Sequence, residues 1–329
     1  MPPSGWLPWA GVAFVVACAG TWLARRYALR RRLIDQPGER RSHQVATPRG
    51  GGVAIVPAVL PLLAWLAWRT PAERPLFVAI AAGLLLVAGI GWLDDHRPLS
   101  PWLRLGVHAL ASACLACGIA PDAGLAGALL AFAAAMALTN VWNFMDGIDG
   151  LAASQALLVA SACALWAGGG AVALLAVALA AACAGFLPFN LPPARIFLGD
   201  VGSGALGFLV AALLAMLAPR DWATASLLLL PISAFVLDAG FTLASRIRAG
   251  ERWWLPHTSH AYQRWTRRLG RHGPVTAAYA AWTLGASLLM LAGKEAGAAF
   301  TMPVLAGCGL AGAAAWTRLR ALQPSGDRE

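Results

Sequence analysis

The sequence predicts an all-α, polytopic membrane protein, and three observations carry that prediction. Of its 329 residues, 59% are hydrophobic and only 12% are charged, where a soluble domain carries about 25% charged residues. Apolar runs near the ~20 residues needed to cross a bilayer recur along the whole chain. The arginines gather in the intervals between those runs, as in loops that face cytoplasm and anionic lipid. That arrangement accounts for the net charge of +10 without a nucleic-acid partner.

Taken in order, spans are expected at roughly 6–24, 52–68, 76–93, 102–119, 123–143, 151–168, 171–189, 202–218, 223–245, 275–293 and 298–316. That makes eleven, or ten if one of the short or proline-containing runs does not cross. No basic residue precedes the first run, and Arg25 and Arg26 follow it. A retained first span is expected, not a cleaved signal. Gly168, Gly169 and Gly170 suit a tight turn between the sixth and seventh spans. The chain reads as a single domain, 1–329, with a basic loop at 246–274 inside it.

Orientation follows from the basic residues. With the N-terminus outside, the inner side receives 21 of the 25 Lys and Arg, leaving only Arg69, Arg74, Arg220 and Lys294 outside. The acids were not used in that count, yet they sort with it. Asp94, Asp95, Asp146, Asp149, Asp200 and Asp238 all fall at or near inner ends of odd-numbered spans. Chemistry is therefore expected on the cytoplasmic face. The six cysteines lie in apolar stretches, and Cys114 and Cys117 read as packing.

Thr139–Leu151, TNVWNFMDGIDGL, places Asn140, Asn143, Asp146 and Asp149 at intervals of three after fifteen uncharged residues. Polar groups at the end of such a run are costly unless they meet water, a cation or each other. Gly147 and Gly150 can break the helix and fold the later groups inward. Asp94-Asp95 closes another apolar run with two like charges, which are unfavourable side by side unless a cation or proton is shared. Residues 186–204, FLPFNLPPARIFLGDVGSG, read as a loop re-entering a helix. There Gly199, Gly202 and Gly204 surround Asp200 and would let backbone approach a ligand; a plain helix cap at Asp200 is the alternative. His257 and His260 share one face if helical, and Arg264, Arg267 and Arg268 after them suit phosphate better than zinc. Arg40, Arg41, His43 and Arg49, with Gly50 to Gly52, could meet an anionic headgroup. Carboxylates with phosphate oxygens are what Mg²⁺ prefers. The combination points to phosphoryl transfer between a soluble nucleotide and something held in the membrane.

NVWNFMDGIDGL, Asp94-Asp95, PFNLPPARIFLGDVGS and the His257/His260 loop together resemble the polyprenyl-phosphate N-acetylhexosamine-1-phosphate transferases, in the same order over nearly the whole chain. That family includes phospho-N-acetylmuramoyl-pentapeptide transferase and undecaprenyl-phosphate N-acetylglucosaminyl-1-phosphate transferase. The resemblance implies attack by undecaprenyl phosphate on the β-phosphorus of a UDP-amino sugar, with UMP leaving. It implies Asp94 and Asp95 at the lipid phosphate and diphosphate, and Asp200 as ligand of Mg²⁺, or of Mn²⁺ in its place. Asp94 and Asn143 are expected to complete the metal set. Gly147, Ile148 and Asp149 resemble a uracil-binding turn, with Asn190 and Phe197 beside the nucleoside. Asn140, Asn143, Asp146, Arg104 and Arg264 are the further residues expected at the substrates. His257 and His260 resemble a shortened histidine-rich loop, where the muramoyl branch carries three histidines. HTSHAYQ is similar to the branch that initiates O-antigen synthesis, which implies UDP-N-acetylglucosamine or a 6-deoxy relative such as UDP-N-acetylfucosamine. A bacterial inner-membrane location is expected, with a periplasmic N-terminus, a cytoplasmic C-terminus and a homodimer as one assembly. The competing class is a multi-pass transporter, which would place polar groups near the bilayer midplane on repeated halves.

Overall fold

The structure is a computed structural model that describes residues 5–36, 45–218, 222–252, 254–255, 257–294, 296 and 298–321. Arg40, Arg41, His43 and Arg220 lie outside the described residues. The chain runs α1 (Trp6–Arg31), β1 (Ile34–Asp35), β2 (Thr47–Pro48), a 3₁₀ turn (Gly51–Ala54), α2 (Ile55–Arg69), α3 (Arg74–His96) and α4 (Pro101–Phe144). It continues through α5 (Leu151–Ala167), α6 (Gly170–Asn190), α7 (Gly199–Leu217), α8 (Trp222–Leu227), α9 (Ser233–Arg248), α10 (Ala261–Leu269), α11 (Gly273–Gly293) and α12 (Ala298–Arg320). The one sheet is a two-residue ribbon with Ile34 opposite Pro48 and Asp35 opposite Thr47. The all-α membrane architecture expected from composition is the architecture found.

Among the described residues, eight helices are long and apolar enough to cross a membrane. The difference from the eleven expected spans lies in three places. The fourth and fifth spans are one 44-residue element broken at Gly124, where φ 66 and ψ −170 turn the chain back. The sixth is α5, only 17 residues long. The ninth is split into α8 and α9 around Pro231, which lacks the N–H a continuous helix needs.

α7 is the axis of the bundle: every residue from Val201 to Leu214 is buried. It packs against α3, α4 and α5, and small residues bring the backbones close, as membrane helices favour. A Cβ on Gly207 would stand 2.3 Å from the Leu138 carbonyl oxygen in α4, and one on Gly91 of α3 would stand 2.5 Å from the Asp200 carbonyl oxygen. These approaches carry the C-terminal end of α3 onto the first turn of α7. Asp95 therefore meets Asp200 across about a hundred residues of sequence.

Candidate active site

Each member of the Asp94-Asp95 pair has its own environment. Asp95 is 3% exposed and faces the N-terminus of α7. Its carboxylate accepts the N–H groups of Asp200 at 3.1 Å and Val201 at 3.2 Å, where unpaired helix donors and the helix dipole favour an anion. Arg49 donates to the Asp95 carbonyl, and its Nε lies 4.0 Å from the carboxylate. Asp94 turns the other way. Its Oδ1 accepts the Leu99 N–H at 2.6 Å, and its Oδ2 accepts Arg104 Nη1 at 2.9 Å. The same guanidinium lies 3.6 Å from Asp200 Oδ2, so Arg104 bridges Asp94 and Asp200. Asn143 Nδ2 donates to Asp200 Oδ1 and, at 3.2 Å, to Ser203 Oγ. The structure thus brings Asp94, Asp95, Asp200, Asn143 and Arg104 together.

Beside this cluster is a cavity of about 210 Å³ lined by Arg49, Asp95, Asn143, Asp146, Phe197 and Asp200, with Gly147, Ile148, Asp149 and Asn190 also on its wall. Asp146 lies in the turn between α4 and α5. Its carboxyl is pushed well above the usual range, by burial first and then by the charges of Asp200, Asp95 and Asp149. Asp149 and Asn190 have protein partners that fix the wall. Asp149 Oδ2 accepts the Ala194 N–H at 3.0 Å, and its Oδ1 lies 3.0 Å from His272 Nδ1. Asn190 accepts the Gly150 N–H at 3.1 Å and donates to the Ile196 carbonyl at 3.0 Å.

The glycines expected to admit a ligand admit protein instead. A Cβ on Gly199 would meet Asp95 Oδ2 at 2.6 Å and the Gly50 Cα at 2.8 Å, and one on Gly52 would meet the Gly202 Cα at 2.3 Å. At Gly204 the neighbour is Val87. The space left by the missing side chains locks the 50–52 turn onto α7, and Gly51 and Gly52 donate to the carbonyls of Phe197 and Leu198 at 2.9 and 2.8 Å. Gly50 and Gly199 do require glycine for their backbone, with φ of 90 and 77.

His257 and His260 line a second cavity, of about 330 Å³, which adjoins the first across Asn143, Asp146, Gly147 and Gln263. Asn140 and Arg104 are on its wall as well. His257 accepts the Ser259 N–H at 3.3 Å. Burial, then the neighbouring His260 and Arg246, pull its pKa down to about 4, so it is neutral at pH 7. His260 precedes α10, whose first N–H groups, on Ala261 and Tyr262, donate to the buried Asp238 of α9 at 2.9 and 3.1 Å. Tyr279 of α11 donates to the same carboxylate at 2.6 Å. So anchored, α10 presses the Tyr262 hydroxyl onto the α4–α5 turn. The hydroxyl donates to the Phe144 carbonyl at 3.0 Å, and its oxygen stands where a Cβ on Gly147 would be. Burial, with Asp238 and Asp146 nearby, keeps that hydroxyl protonated. Arg264 lines neither cavity; its Nη1 donates to the Arg320 carbonyl at 2.7 Å. Nor is Arg246 a free cation, since it is buried and paired with Glu251 at 2.6 Å.

Tyr262, Gln263, His272, Asp35 and Ser203 were not among the expected site residues. Tyr262 and Gln263 fall within HTSHAYQ and Ser203 within the segment around Asp200, motifs that drew attention to other residues. His272 ends a basic stretch that membrane orientation alone would produce, and Asp35 is an isolated acid.

Among the described residues, no three His, Cys, Asp or Glu side chains are placed to hold a metal ion by protein ligands alone. Mg²⁺ usually keeps its waters and takes one or two carboxylates together with substrate phosphates. Asp200 and Asp94, with Asn143, offer a hard-oxygen set of that kind.

The profile described as Glycosyl transferase family 4 matches residues 77–218, the stretch from α3 to α7 that supplies most of this cluster. Full-length comparisons extend further. The chain is 31% identical to the decaprenyl-phosphate N-acetylglucosaminephosphotransferase of Mycobacterium leprae, over 77% of this chain and 74% of that one. It is 30% identical to a probable undecaprenyl-phosphate N-acetylglucosaminyl 1-phosphate transferase of Bacillus subtilis, over 77% and 76%. A phospho-N-acetylmuramoyl-pentapeptide-transferase of Synechococcus elongatus is 32% identical over 70% and 69%. On that identity and coverage, the chain belongs to glycosyl transferase family 4, the polyprenyl-phosphate N-acetylhexosamine-1-phosphate transferases.

Proposed function

We propose that the protein transfers an N-acetylhexosamine 1-phosphate from a UDP-sugar to undecaprenyl phosphate and releases UMP, at the cytoplasmic face of a bacterial plasma membrane. The observation that carries this reading is the meeting of Asp94, Asp200 and Arg104 beside a cavity walled by Phe197 and the 146–149 turn. The uridine would lie against Phe197, and its diphosphate would reach Arg104 and the carboxylates. A phosphomonoester has its second pKa near 6, so the lipid phosphate is mostly dianionic at pH 7. Attack on the β-phosphorus then needs alignment more than a base. Arg104 orients the anions, while Asp95, bound to the start of α7, holds Asp200 in place. Mg²⁺, held by Asp200 with Asp94 and Asn143, would supply charge neutralisation of the diphosphate and the departing UMP.

The similarity to N-acetylglucosaminyl transferases favours UDP-N-acetylglucosamine as donor. The HTSHAYQ segment favours a 6-deoxy relative and O-antigen initiation. The muramoyl-pentapeptide branch is the second reading, favoured by the 32% identity to one of its members. Purified protein with undecaprenyl phosphate, Mg²⁺ and each radiolabelled UDP-sugar in turn separates them. Label moving into the lipid phase from UDP-N-acetylglucosamine or its 6-deoxy analogue supports the proposal. Transfer from the UDP-muramoyl-pentapeptide alone would support the second reading, and no transfer from any donor would refute both.

A further inference from the structure

The turn at 147–150 is held from three sides, and one of them has no part in the proposed chemistry. Asn190 and Ala194 meet it from the segment between α6 and α7, and Tyr262 meets it from α10. The third side is the start of α11, where His272 follows Asp149 by 123 residues. His272 Nδ1 lies 3.0 Å from Asp149 Oδ1 and 3.3 Å from the Asp149 backbone nitrogen. One turn on, Thr276 Oγ1 donates to the Asp149 carbonyl at 2.8 Å. The Thr276 methyl stands 3.6 Å from where a Cβ on Gly150 would be. Two side chains of one helix thus meet the carboxylate, the N–H and the carbonyl of a single residue. Helix formation does not call for this histidine. Its side chain makes no cap hydrogen bond to α11, whose start is served by Pro274, and a cationic ring there would oppose the helix dipole. The ring does line the first cavity, with Phe197 and Ile148. Deeper in the bundle, Thr283 of α11 donates to Gln155 of α5, the kind of polar contact that joins helices in a membrane.

From that geometry we infer that His272 and Thr276 are positioning residues for the nucleotide: they fix Asp149, and through it the 147–149 turn, in the shape that receives the uridine. The inference rests on the functional reading above. One nitrogen cannot donate and accept at once, but either role serves. With a hydrogen, Nδ1 donates to the carboxylate; without one, it accepts the Asp149 N–H. Both states tether the turn. A turn that its ligand must put in order weakens binding, and a turn already held does not. The clamp comes from α11 and not from the acid cluster, so it acts on the nucleotide and leaves the lipid phosphate alone. The competing role is plain packing of α11 on α5. Thr283 and Gln155 serve that packing, and neither lines the first cavity.

The test uses full-length protein in nanodiscs. It measures UMP release from the UDP-sugar that wild type accepts, with undecaprenyl phosphate varied separately, and UDP binding by calorimetry. His272→Leu and Thr276→Val remove the hydrogen bonds at similar size, while His272→Asn keeps a donor and an acceptor at the reach of Nδ1. Thr283→Val is the packing control. His272→Leu should raise KM for the UDP-sugar and Kd for UDP about tenfold, and Thr276→Val about threefold. Neither should move kcat or KM for undecaprenyl phosphate, as when binding common to ground and transition states is lost. His272→Asn should recover most of the loss. Thr283→Val should lower the unfolding temperature and leave KM and Kd unchanged. Unchanged KM and Kd in His272→Leu and Thr276→Val overturn the inference and leave the functional reading standing. A loss in Thr283→Val equal to that in Thr276→Val, or no recovery with asparagine, also overturns it, because the contacts then only pack the helix. If His272→Leu does not fold, Thr276→Val and His272→Asn decide by the same readouts. Wild type that neither binds UDP nor releases UMP overturns both.

Discussion

Asp94 and Asp95 are adjacent in sequence, but their carboxylates have different work. Asp95 accepts two backbone N–H groups at the start of α7 while 3% exposed, so its charge holds two helices together. Asp94 faces Arg104 at the edge of the site. The two asparagine substitutions should therefore separate. Asp95→Asn removes a buried anion from two N–H donors, worth about 2–3 kcal/mol, and should lower the unfolding temperature clearly. Asp94→Asn should unfold near the wild-type temperature yet lose most UMP release. Equal thermal stability of the two variants would contradict this division. The pair was legible in the sequence because two like charges ending an apolar run stand out. The division was not, since it depends on which helix each carboxylate faces.

At the scale of elements, the packing of α3 and α4 on α7 places the site. Gly207 is where α7 touches the α4 backbone, and a Cβ there would come within 2.3 Å of the Leu138 oxygen. Because the neighbour is backbone, Gly207→Ala should cost about 1–3 kcal/mol and reduce activity with stability. Gly89 in α3 is the control, for nothing lies within 4 Å of its would-be Cβ. Gly89→Ala should leave the unfolding temperature unchanged or slightly higher, and a comparable loss in both variants would argue against the contact. Sequence marked the glycines around Asp200 as a place of close approach but could not say what approaches. The space is taken by Gly50, Gly52, Asp95 and Val87 rather than a ligand. The helix breaks at Gly124 and Pro231 were similarly half-visible: two spans were counted around Gly124 and one across Pro231, but the backbone angles that join the first two and split the last were not legible.

For the whole molecule, acids distant in sequence gather in space. The C-terminal ends of α3, α4 and α6 and the start of α7 meet at one cavity wall, and the start of α10 closes the adjoining one. Why α10 belongs there was not legible, since the link is Asp238 reaching Ala261, Tyr262 and Tyr279 across three elements. Orientation in the bilayer can be checked with single cysteines in a background lacking the six native ones. Ser100, exposed between α3 and α4, should react with an impermeant reagent only from the cytoplasmic side. Gly169, with φ 174 and open space around it, accepts a side chain and should react only from the periplasmic side. Labelling of Ser100 from the periplasmic side would put the acid cluster on the wrong face for a soluble nucleotide.

The central claim is that this cluster performs the transfer, and Asp200 tests it most directly. It takes a hydrogen bond from Asn143, shares one with Asp94 and lies 3.6 Å from Arg104, while the α7 N-terminus is held by Asp95. Asp200→Asn should therefore leave the fold intact. The measurement is UMP release from UDP-N-acetylglucosamine or its 6-deoxy analogue, with undecaprenyl phosphate and a Mg²⁺ series. Wild type and variant are prepared alike, and their thermal unfolding is recorded on the same samples. The account predicts Mg²⁺-dependent release by wild type, and a variant with matched stability that loses nearly all activity at every Mg²⁺ concentration. A folded variant with substantial release and the wild-type Mg²⁺ dependence would contradict it.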